Sequence, residues 1–351
     1  MTVWDSYPDN YRSAEIQEIL SAVQAGECVS LIGLSGAGKS NLLGFLVHRV
    51  TSDVRFVMID CNLLSAADPN SLLATILEGF GAPISTSATL PSVIKALRTE
   101  LENSNRKLCL VFDRFDLFTS QFDTGRVIFN NLRALRDNFK YDLTYLLSTR
   151  FPLEPENELA ELFLAHMLWL GPLSTSDARW STLQFAARHN LQWKDEIVNE
   201  IVSLSGGYPS MLRATCEAAA AGIPLELNPL RQSRPVELRL IEFWADSPDK
   251  QALKESRLDC LAILQKELKD TERNLELTAA EQRLLEHFVA RSGQICNKEE
   301  LIQAVWPEEK LEAGLRDDSL TQLVHRLREK IDTEGKNLIQ TLPGRGYRYK
   351  G

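Results

Sequence analysis

Residues 33 to 40 read Gly33-Leu-Ser-Gly-Ala-Gly-Lys39-Ser40, and they lie between the apolar run 28–32 and the segment 41–46. The run before them has the composition of a buried strand, and the segment after them has that of a helix. Glycines at this spacing let backbone N–H groups face one anion at a helix N-terminus, where the helix dipole favours negative charge. The segment predicts a loop that binds the phosphates of a nucleotide; a glycine-rich turn with an unrelated lysine is the alternative.

The side chains of this loop have separate expected roles. Lys39 supplies a positive charge to the β- and γ-phosphates, and the Ser40 hydroxyl is a ligand for Mg²⁺. The surrounding contacts are expected from the other residues of the loop: Gly33, Ser35, Gly36, Ala37, Gly38 and Asn41. A phosphate-bound metal also needs a carboxylate at the end of a neighbouring strand, and Asp113 directly follows the apolar run 107–112. Asp113 is therefore the expected metal ligand and catalytic carboxylate.

Short apolar runs alternate with longer amphipathic segments in the first two thirds of the chain. The expected strands are residues 28–32, 55–59, 107–112, 143–148 and 166–170, and expected helices between them are residues 71–80, 91–102 and 126–138. This alternation predicts an α/β fold in which a parallel sheet is flanked by helices. Ligands of such sheets bind beyond the carboxyl ends of the strands, where Arg150 is expected to bind the γ-phosphate. A surface salt bridge is the alternative for Arg150.

Three further segments are similar to motifs of one class of ATPases. They are Leu147-Ser148-Thr149-Arg150, Gly206-Gly207-Tyr208-Pro209 and Tyr11-Arg12-Ser-Ala-Glu15. Together with the phosphate loop they resemble the STAND and AAA+ branches of the P-loop ATPases over residues 10–225, and the STAND resemblance is the closer. The resemblance implies that ATP or ADP binds with Mg²⁺ and that Arg150 reads the γ-phosphate. It also implies that Pro209 of a helical lid lies against the nucleotide and that the segment around Arg12 approaches the adenine.

Position 114 departs from the pattern of that class. ATPases that hydrolyse ATP quickly place a second acid directly after the metal-binding aspartate, and here that position is Arg114. Slow hydrolysis is therefore expected. The next acid, Asp116, is either a catalytic base or the cap of the following helix, since aspartate is a preferred cap.

The last 75 residues have the pattern of a winged helix. Thr278-Ala-Ala-Glu281 is a capping box that predicts a first helix, and Asn297 begins a second expected helix that ends at Pro307. Residues 308–312 form an acidic loop, and a third helix is expected over 318–331. Residues 337–350, with Pro343-Gly344-Arg345-Gly346 at the turn, predict a β-hairpin.

The expected third helix has one apolar and one polar side. At 100° per residue, the polar side carries Thr321, Gln322 and His325, flanked by Arg326 and Arg328. Seven basic and three acidic residues lie from position 326 onward, within a chain whose net charge is −9. Any contact with nucleic acid is therefore expected to be local and sensitive to salt.

This C-terminal segment resembles the effector domain of OmpR-type response regulators. The resemblance rests on residues 277–285, 300–306, 325–330 and 344–348, and it implies that the third helix enters the major groove of double-stranded DNA. It also implies that Thr321, Gln322 and His325 read bases, that Arg326 and Arg328 hold phosphates, and that Arg345 lies at the tip of the wing. The alternatives are a surface role for His325 and a winged helix that binds protein. Residues 266–276 leave little room for the four-stranded sheet that precedes the helices in that family, and Pro343 replaces the family's wing arginine.

The organisation along the chain follows from these segments. Its 351 residues predict a nucleotide-binding domain at 1–172, a helical lid at 173–228, a connector at 229–274 with one helix over 249–271, and a winged helix-turn-helix domain at 275–351. Six cysteines lie far apart without the spacing of metal ligands, so free buried thiols are expected. Neither a signal peptide nor a membrane span is expected, which favours a cytoplasmic location.

Together, these domains predict a transcriptional regulator gated by ATP. Its expected partner is double-stranded DNA, and it is expected to form a homo-oligomer in a nucleotide-dependent way. One alternative is a replication initiator that binds origins, because such ATPases also join a P-loop domain, a lid and a winged helix. Another is a signalling ATPase, in a stress or phage-defence switch, whose winged helix binds protein.

Overall fold

The structure is a computed structural model that describes residues 3–64, 68–81, 88–104, 106–119, 122–155, 157–246, 250–264, 278–291, 293–306, 313–331, 338–342 and 345–350. The chain divides into two compact units, Met1–Leu264 and Gln265–Gly351. The predicted boundaries at residues 172 and 228 lie inside the first unit. In the described part of the chain, every helix is too short or too polar to cross a membrane.

A parallel sheet forms the centre of the first unit. Its strands within the described residues are β1 (Val29–Ile32), β2 (Val54–Asp60), β3 (Lys107–Asp113), β4 (Leu143–Thr149) and β5 (Met167–Trp169). Their order is β2-β3-β4-β1-β5, and every paired strand runs parallel to its neighbour. The predicted α/β fold is confirmed. Because the strands are parallel, the carboxyl ends of β1, β3 and β4 meet at one edge.

Helices flank this sheet, and their apolar sides bury its faces. They are α1 (Ser13–Ala25), α2 (Lys39–Arg49), α3 (Pro69–Gly79), α4 (Leu90–Ser104), α5 (Asp116–Thr119) and α6 (Phe122–Phe139). Val93 and Leu97, one turn apart on α4, pack into the same core as Leu110 of β3. The spacing of apolar residues that predicted α4 is therefore the spacing that packs it onto the sheet.

A group of helices follows the sheet along the chain: α7 (Thr175–Arg188), α8 (Asp195–Ser205), α9 (Pro209–Ala220), α10 (Leu227–Arg231), α11 (Arg234–Asp246) and α12 (Lys250–Glu255). The Ser174 hydroxyl caps α7 by accepting the backbone N–H of Asp177. Gly206 and Gly207 both have positive φ angles, which end α8 and turn the chain into α9.

The prediction of one connector helix over 249–271 is wrong in its described part. Helix α12 ends at Glu255, Arg257 takes a left-handed conformation with φ of 55°, and a 3-10 helix covers Leu258–Cys260. Leu258 and Leu261 are buried in the first unit. The spacing of these leucines reflects their packing against the first unit. That packing requires the chain to turn at Arg257, so the segment is not one continuous helix. Residues 265–271 lie outside the described residues.

The second unit is a winged helix, as predicted. Its elements are α13 (Ala279–Ala290), β6 (Ile295–Cys296), α14 (Lys298–Val305), α15 (Ala313–Ile331), β7 (Ile339–Leu342) and β8 (Gly346–Tyr349). The capping box of Thr278 and Glu281 is present, and the Asn297 side chain caps α14. The hairpin is confirmed, and its strand β8 also pairs with β6, a two-residue strand too short for sequence periodicity to indicate. The third helix starts at Ala313 rather than 318.

Some predictions for this unit fall outside the described residues. They concern the acidic loop 308–312, the Pro343-Gly344 part of the turn and the segment 266–276. The described helices and strands of the unit share one core, to which Phe288, Leu301, Leu323 and Tyr347 contribute. This core contains side chains from all three helices and the hairpin, so it fixes the third helix against the wing.

Candidate nucleotide site and nucleic-acid interface

The predicted phosphate loop joins β1 directly to α2. Gly36 and Gly38 have φ angles of 75° and 89°, a region that residues with a side chain rarely adopt. These conformations let the chain turn within a few residues, and α2 then begins at Lys39. The first N–H groups of a helix have no partner within it, so this turn provides donors for an anion.

A cavity of about 620 Å³ opens over the loop. Its lining consists of Ser35, Gly36, Ala37, Gly38, Lys39, Ser40, Asn41, Asn62, Arg114, Asp116, Leu117 and Arg150. The fold thus brings together most of the predicted nucleotide-binding residues. They include Arg150, which directly follows β4 and is more than 100 positions along the chain from the phosphate loop. Gly33, Asp113, Arg12 and Pro209 do not line it. Asn62 and Arg114 do, although the sequence analysis assigned neither of them a binding role.

Lys39 lies within the loop rather than extending away from it. Its Nζ donates to the carbonyl oxygen of Gly33, and a weaker contact of 3.4 Å reaches the carbonyl oxygen of Leu34. The ammonium group is therefore at the base of the cavity, and it must exchange these contacts to reach a phosphate.

Carboxylates gather where β2 and β3 end. Asp60 and Asp113 lie directly opposite each other in the paired strands. Asp113 is buried, and it accepts a hydrogen bond of 2.7 Å from the Ser148 hydroxyl. Burial, together with the negative charges of Asp113 and Asp60, raises the pKa of the Cys61 thiol to about 12. This concentration of negative charge suits a cation. Asp60 ends the apolar strand β2 as Asp113 ends β3, so the same sequence signal that indicated Asp113 also applies to Asp60.

Asp116 and Arg150 are joined across the same edge. The backbone N–H of Arg150 donates to Oδ1 of Asp116 at 2.7 Å, and Asp116 is the first residue of α5. The backbone N–H of Arg114 donates to the Ser148 hydroxyl at 2.9 Å. These bonds hold the ends of β3 and β4 together, and they place the side chains of Arg114 and Asp116 on the cavity.

Arg12 binds the phosphate loop from beneath. Its guanidinium is fully buried and donates to the carbonyl oxygens of Ala37 at 3.1 Å and Gly171 at 3.0 Å, as well as to the carboxylate of Glu15 at 2.8 Å. Its backbone N–H donates to Asp177 on α7 at 3.1 Å. Arg12 thus connects the loop to the start of the helices that follow the sheet.

The N-terminus of α9 packs against the phosphate loop. The backbone N–H of Ser210 donates to the carbonyl oxygen of Gly36 at 3.1 Å, and a β-carbon on Gly36 would overlap with the Ser210 side chain. Pro209 lies near Gly38, with its Cγ 3.4 Å from the position of a β-carbon there. The predicted lid proline is therefore beside the loop. The close approach at Gly36 requires glycine for steric reasons as well as for its φ angle.

The third helix of the winged helix has the predicted two sides. Leu320, Leu323, Val324 and Leu327 are buried in its core, while Thr321, Gln322, His325 and Arg326 are exposed. Arg345, at the predicted wing tip, is also exposed, and its backbone N–H donates to the carbonyl oxygen of Leu342. The exposed side chains include hydrogen-bond donors and acceptors of the kinds that contact base edges and phosphates.

Arg328 differs from these exposed residues. Its Nε donates to the carbonyl oxygen of Ile339 at 3.0 Å, and a terminal nitrogen donates to the Thr341 hydroxyl at 2.6 Å. Its guanidinium also lies over the ring of Tyr347, 5.8 Å from the centroid. These contacts attach the end of α15 to both strands of the wing.

Comparisons with known proteins agree with the division of the chain into two units. Residues 23–151 match the family model described as "AAA domain", and residues 272–349 match "Transcriptional regulatory protein, C terminal". The sensory transduction protein BceR of Bacillus subtilis is 35% identical over 75 residues, which are 21% of this chain and 31% of BceR. The response regulator protein GraR of Staphylococcus saprophyticus is 32% identical over 115 residues, 32% of this chain and 48% of GraR. The matched regions thus span less than half the length of these relatives.

A solved structure shows the same fold over nearly the whole chain. The Walker-type ATPase of Pyrococcus abyssi aligns with a TM-score of 0.50 at 14% sequence identity, covering 96% of this chain and 92% of that protein. At this sequence identity, the similarity shows only that the folds are alike.

The resemblance to the STAND branch of the ATPases stays a prediction. The sequence motifs, the parallel sheet and the family matches together identify an AAA-type P-loop domain in the first unit and an OmpR-type winged-helix domain in the second.

Proposed function

We propose that this protein is a transcriptional regulator that binds double-stranded DNA through its winged helix and is gated by ATP. One observation carries the proposal: a single chain contains a phosphate loop beneath an open cavity and a winged helix that exposes Thr321, Gln322 and His325. An ATPase domain joined to a DNA-reading domain in one chain provides two binding sites whose occupancies can be linked.

The residues around the cavity fit Mg²⁺ and ATP. Mg·ATP supplies a divalent cation and a chain of phosphates that need positive charge and N–H donors. Lys39 and Arg150 line the cavity and provide that charge, while Ser40 and Asp113 are the proposed metal ligands. The carboxylate of Asp113 is already oriented by the Ser148 hydroxyl, which leaves its second oxygen as a candidate ligand. Because Arg114 follows Asp113, we expect hydrolysis to be slow and ATP to act mainly as a switch.

The contact between the phosphate loop and α9 is the proposed switch element. Ser210 binds Gly36 directly, and Arg12 links Ala37 to Gly171 beneath it. A triphosphate that changes the conformation of the phosphate loop would therefore act directly on α9, because the carbonyl oxygen of Gly36 accepts the first backbone N–H of that helix, from Ser210. We propose that ATP and ADP favour different arrangements of this contact, and that the difference changes DNA affinity or oligomerisation.

The proposed DNA contacts divide into two kinds. Gln322, Thr321 and His325 read base edges in the major groove, where amide and hydroxyl groups can distinguish base pairs. Arg326 and Arg345 neutralise phosphates, which gives affinity without sequence preference. Because only two of the proposed contacts are with phosphates, a dimer on paired half-sites is expected to provide the remaining affinity.

A DNA-selection experiment with genomic fragments, run in ATP and in ADP, tests the proposal. We expect one class of promoter sites whose affinity differs between the two nucleotides by about 5- to 150-fold, the usual range of allosteric coupling. The variant Lys39→Ala is the control and should remove the difference. Equal affinity in ATP and ADP would refute gating. Selection of repeated origin sites would indicate an initiator instead, and no binding even at low salt would indicate a winged helix that binds protein.

A further inference from the structure

Three side chains with metal-binding atoms converge in the winged-helix unit. They are His287 on α13, Cys296 in β6 and Glu300 on α14, and one ligand atom of each lies within 4.8 Å of the other two. The Nε2 atom of His287 is 3.1 Å from Oε1 of Glu300. A four-coordinate metal holds its ligand atoms at separations of roughly 3 to 4 Å, given metal–ligand bonds of about 2.0 to 2.3 Å. Small side-chain adjustments would therefore bring these three atoms around one ion.

We propose that His287, Cys296 and Glu300 form a binding site for a divalent transition metal of the zinc type. An imidazole nitrogen, a thiolate and a carboxylate are all ligands of Zn²⁺, and the thiolate selects against Mg²⁺ and Ca²⁺. Three protein ligands leave a fourth position for water. The site lies in the DNA-binding unit and uses none of the residues proposed to bind ATP or DNA.

The burial of the three ligands suits a site with one open side. Cys296 is 1% exposed, while the side chains of His287 and Glu300 are 19% and 24% exposed. A metal can therefore approach past the imidazole and the carboxylate and reach the thiol behind them. The three ligands come from separate elements, and Cys296 pairs with Tyr347 of the wing strand β8. A bound metal would hold α13 and α14 to the base of the wing.

Arg291 is the expected competitor of the metal. Its guanidinium forms an ion pair with the carboxylate of Glu300, and its side chain is 46% exposed. A metal needs the Glu300 oxygen that Arg291 now contacts, so the arginine must turn toward solvent. An exposed ion pair contributes little to stability, which makes this exchange feasible. Arg291 thus sets the metal affinity without being a ligand.

Titration of the full chain with Co²⁺, in the absence of nucleotide, tests the site. Co²⁺ replaces Zn²⁺ and gives a near-ultraviolet charge-transfer band when a thiolate binds it. Because the Cys61 thiol lies beside Asp60 and Asp113, the loss of the band in Cys296→Ser is what assigns it to this site. We expect the band to saturate at one Co²⁺ per chain and to disappear when Zn²⁺ is added. Cys296→Ser should abolish the band, and His287→Gln should weaken cobalt binding by about tenfold or more. Cys260→Ser, which changes an exposed cysteine of the first unit, is the matched control and should leave the band unchanged.

Arg291→Gln keeps the experiment decisive if the ligand variants fold poorly. This substitution removes the competing charge, and we expect cobalt affinity to increase several-fold while the band still saturates at one Co²⁺ per chain, which exposure of several thiols by misfolding would not give. Absence of the band from both the wild type and Arg291→Gln at millimolar cobalt would overturn the proposal. A band that survives Cys296→Ser would also overturn it.

Discussion

Two cations of the nucleotide region are held by contacts within the protein, whereas two arginines of the winged helix are exposed to solvent. In the nucleotide region, Lys39 lies on a carbonyl oxygen of its own loop and Arg12 is buried beneath that loop. In the winged helix, Arg326 and Arg345 are exposed to solvent. A triphosphate must therefore displace contacts within the protein before it can bind Lys39, whereas DNA can approach the exposed arginines directly. On the proposed function, nucleotide binding is therefore expected to require a conformational change, while DNA binding is expected to gain its energy mainly from released counterions.

Arg328 qualifies this comparison, because it belongs to the DNA-binding unit but is held like the cations of the nucleotide region. It donates to Ile339 and Thr341 instead of extending into solvent. The number of contacts a cation makes within the protein, rather than the unit to which it belongs, is therefore expected to decide whether its loss affects stability or ligand binding. Substitutions of Arg12, of Lys39, of Arg328 and of the exposed arginines test this idea.

Substitution of Arg12 should have the largest effect. Arg12→Ala leaves the carbonyl oxygens of Ala37 and Gly171 and the Glu15 carboxylate without their buried donor, and removing one partner of a buried pair costs about 3–5 kcal/mol. Hydrogen exchange of the β1 amides measures the resulting loss of unfolding free energy in that unit. Arg213→Ala is the control, since Arg213 is 73% exposed and pairs only one turn away with Glu217. Equal effects of the two substitutions would contradict the role of Arg12.

Substitution of Lys39 should act on ligand binding rather than on stability. Lys39→Ala removes a charged hydrogen-bond donor worth about 1.5–3 kcal/mol, which corresponds to roughly 10- to 150-fold weaker ATP binding. Calorimetric titration with ATP and Mg²⁺ measures the change. Lys194→Ala, at an exposed position, should bind ATP like the wild type. If Lys39→Ala binds ATP normally, the cavity above the loop is not the nucleotide site.

Substitution of Arg328 should destabilise the wing. Arg328→Ala removes two hydrogen bonds to the wing strand β7 and the contact with the Tyr347 ring on β8, and we expect a loss of about 1–3 kcal/mol of unfolding free energy. Hydrogen exchange of the β7 and β8 amides reports it. The salt dependence of DNA binding should keep its slope under conditions where the variant is folded. A lower slope with unchanged exchange would instead mean that Arg328 binds a phosphate.

Substitution of the exposed arginines should have the smallest effect on the protein itself. Arg326→Ala and Arg345→Ala are each expected to leave stability within about 0.5 kcal/mol of the wild type. Each should lower the salt slope of DNA binding by about one, because one phosphate contact is lost, and weaken binding equally across sequences. Gln322→Ala should instead reduce discrimination between sites. Fluorescence anisotropy at several salt concentrations distinguishes these results, and unchanged slopes would argue against phosphate contacts.

The sequence allowed much of the fold to be predicted because the deciding interactions are local. The strand-loop-helix around Lys39, the capping box of Thr278 and Glu281, and the apolar side of α15 each involve residues within one or two turns of each other. The connector was predicted wrongly for the same reason. Periodicity alone indicated a helix through Arg257, but the burial of Leu258 and Leu261 against the first unit required a turn there.

The amino-acid sequence by itself determined which segments can bind phosphate and which helix side can face DNA, since both depend on residue type and short-range spacing. Only the tertiary structure decided how distant side chains meet. Packing brings Arg12 to Ala37 and Gly171, seats Ser210 on Gly36, and gathers His287, Cys296 and Glu300 from three separate elements. Such meetings depend on the relative placement of whole helices and strands around a core, and the periodicity of a single segment does not contain that information.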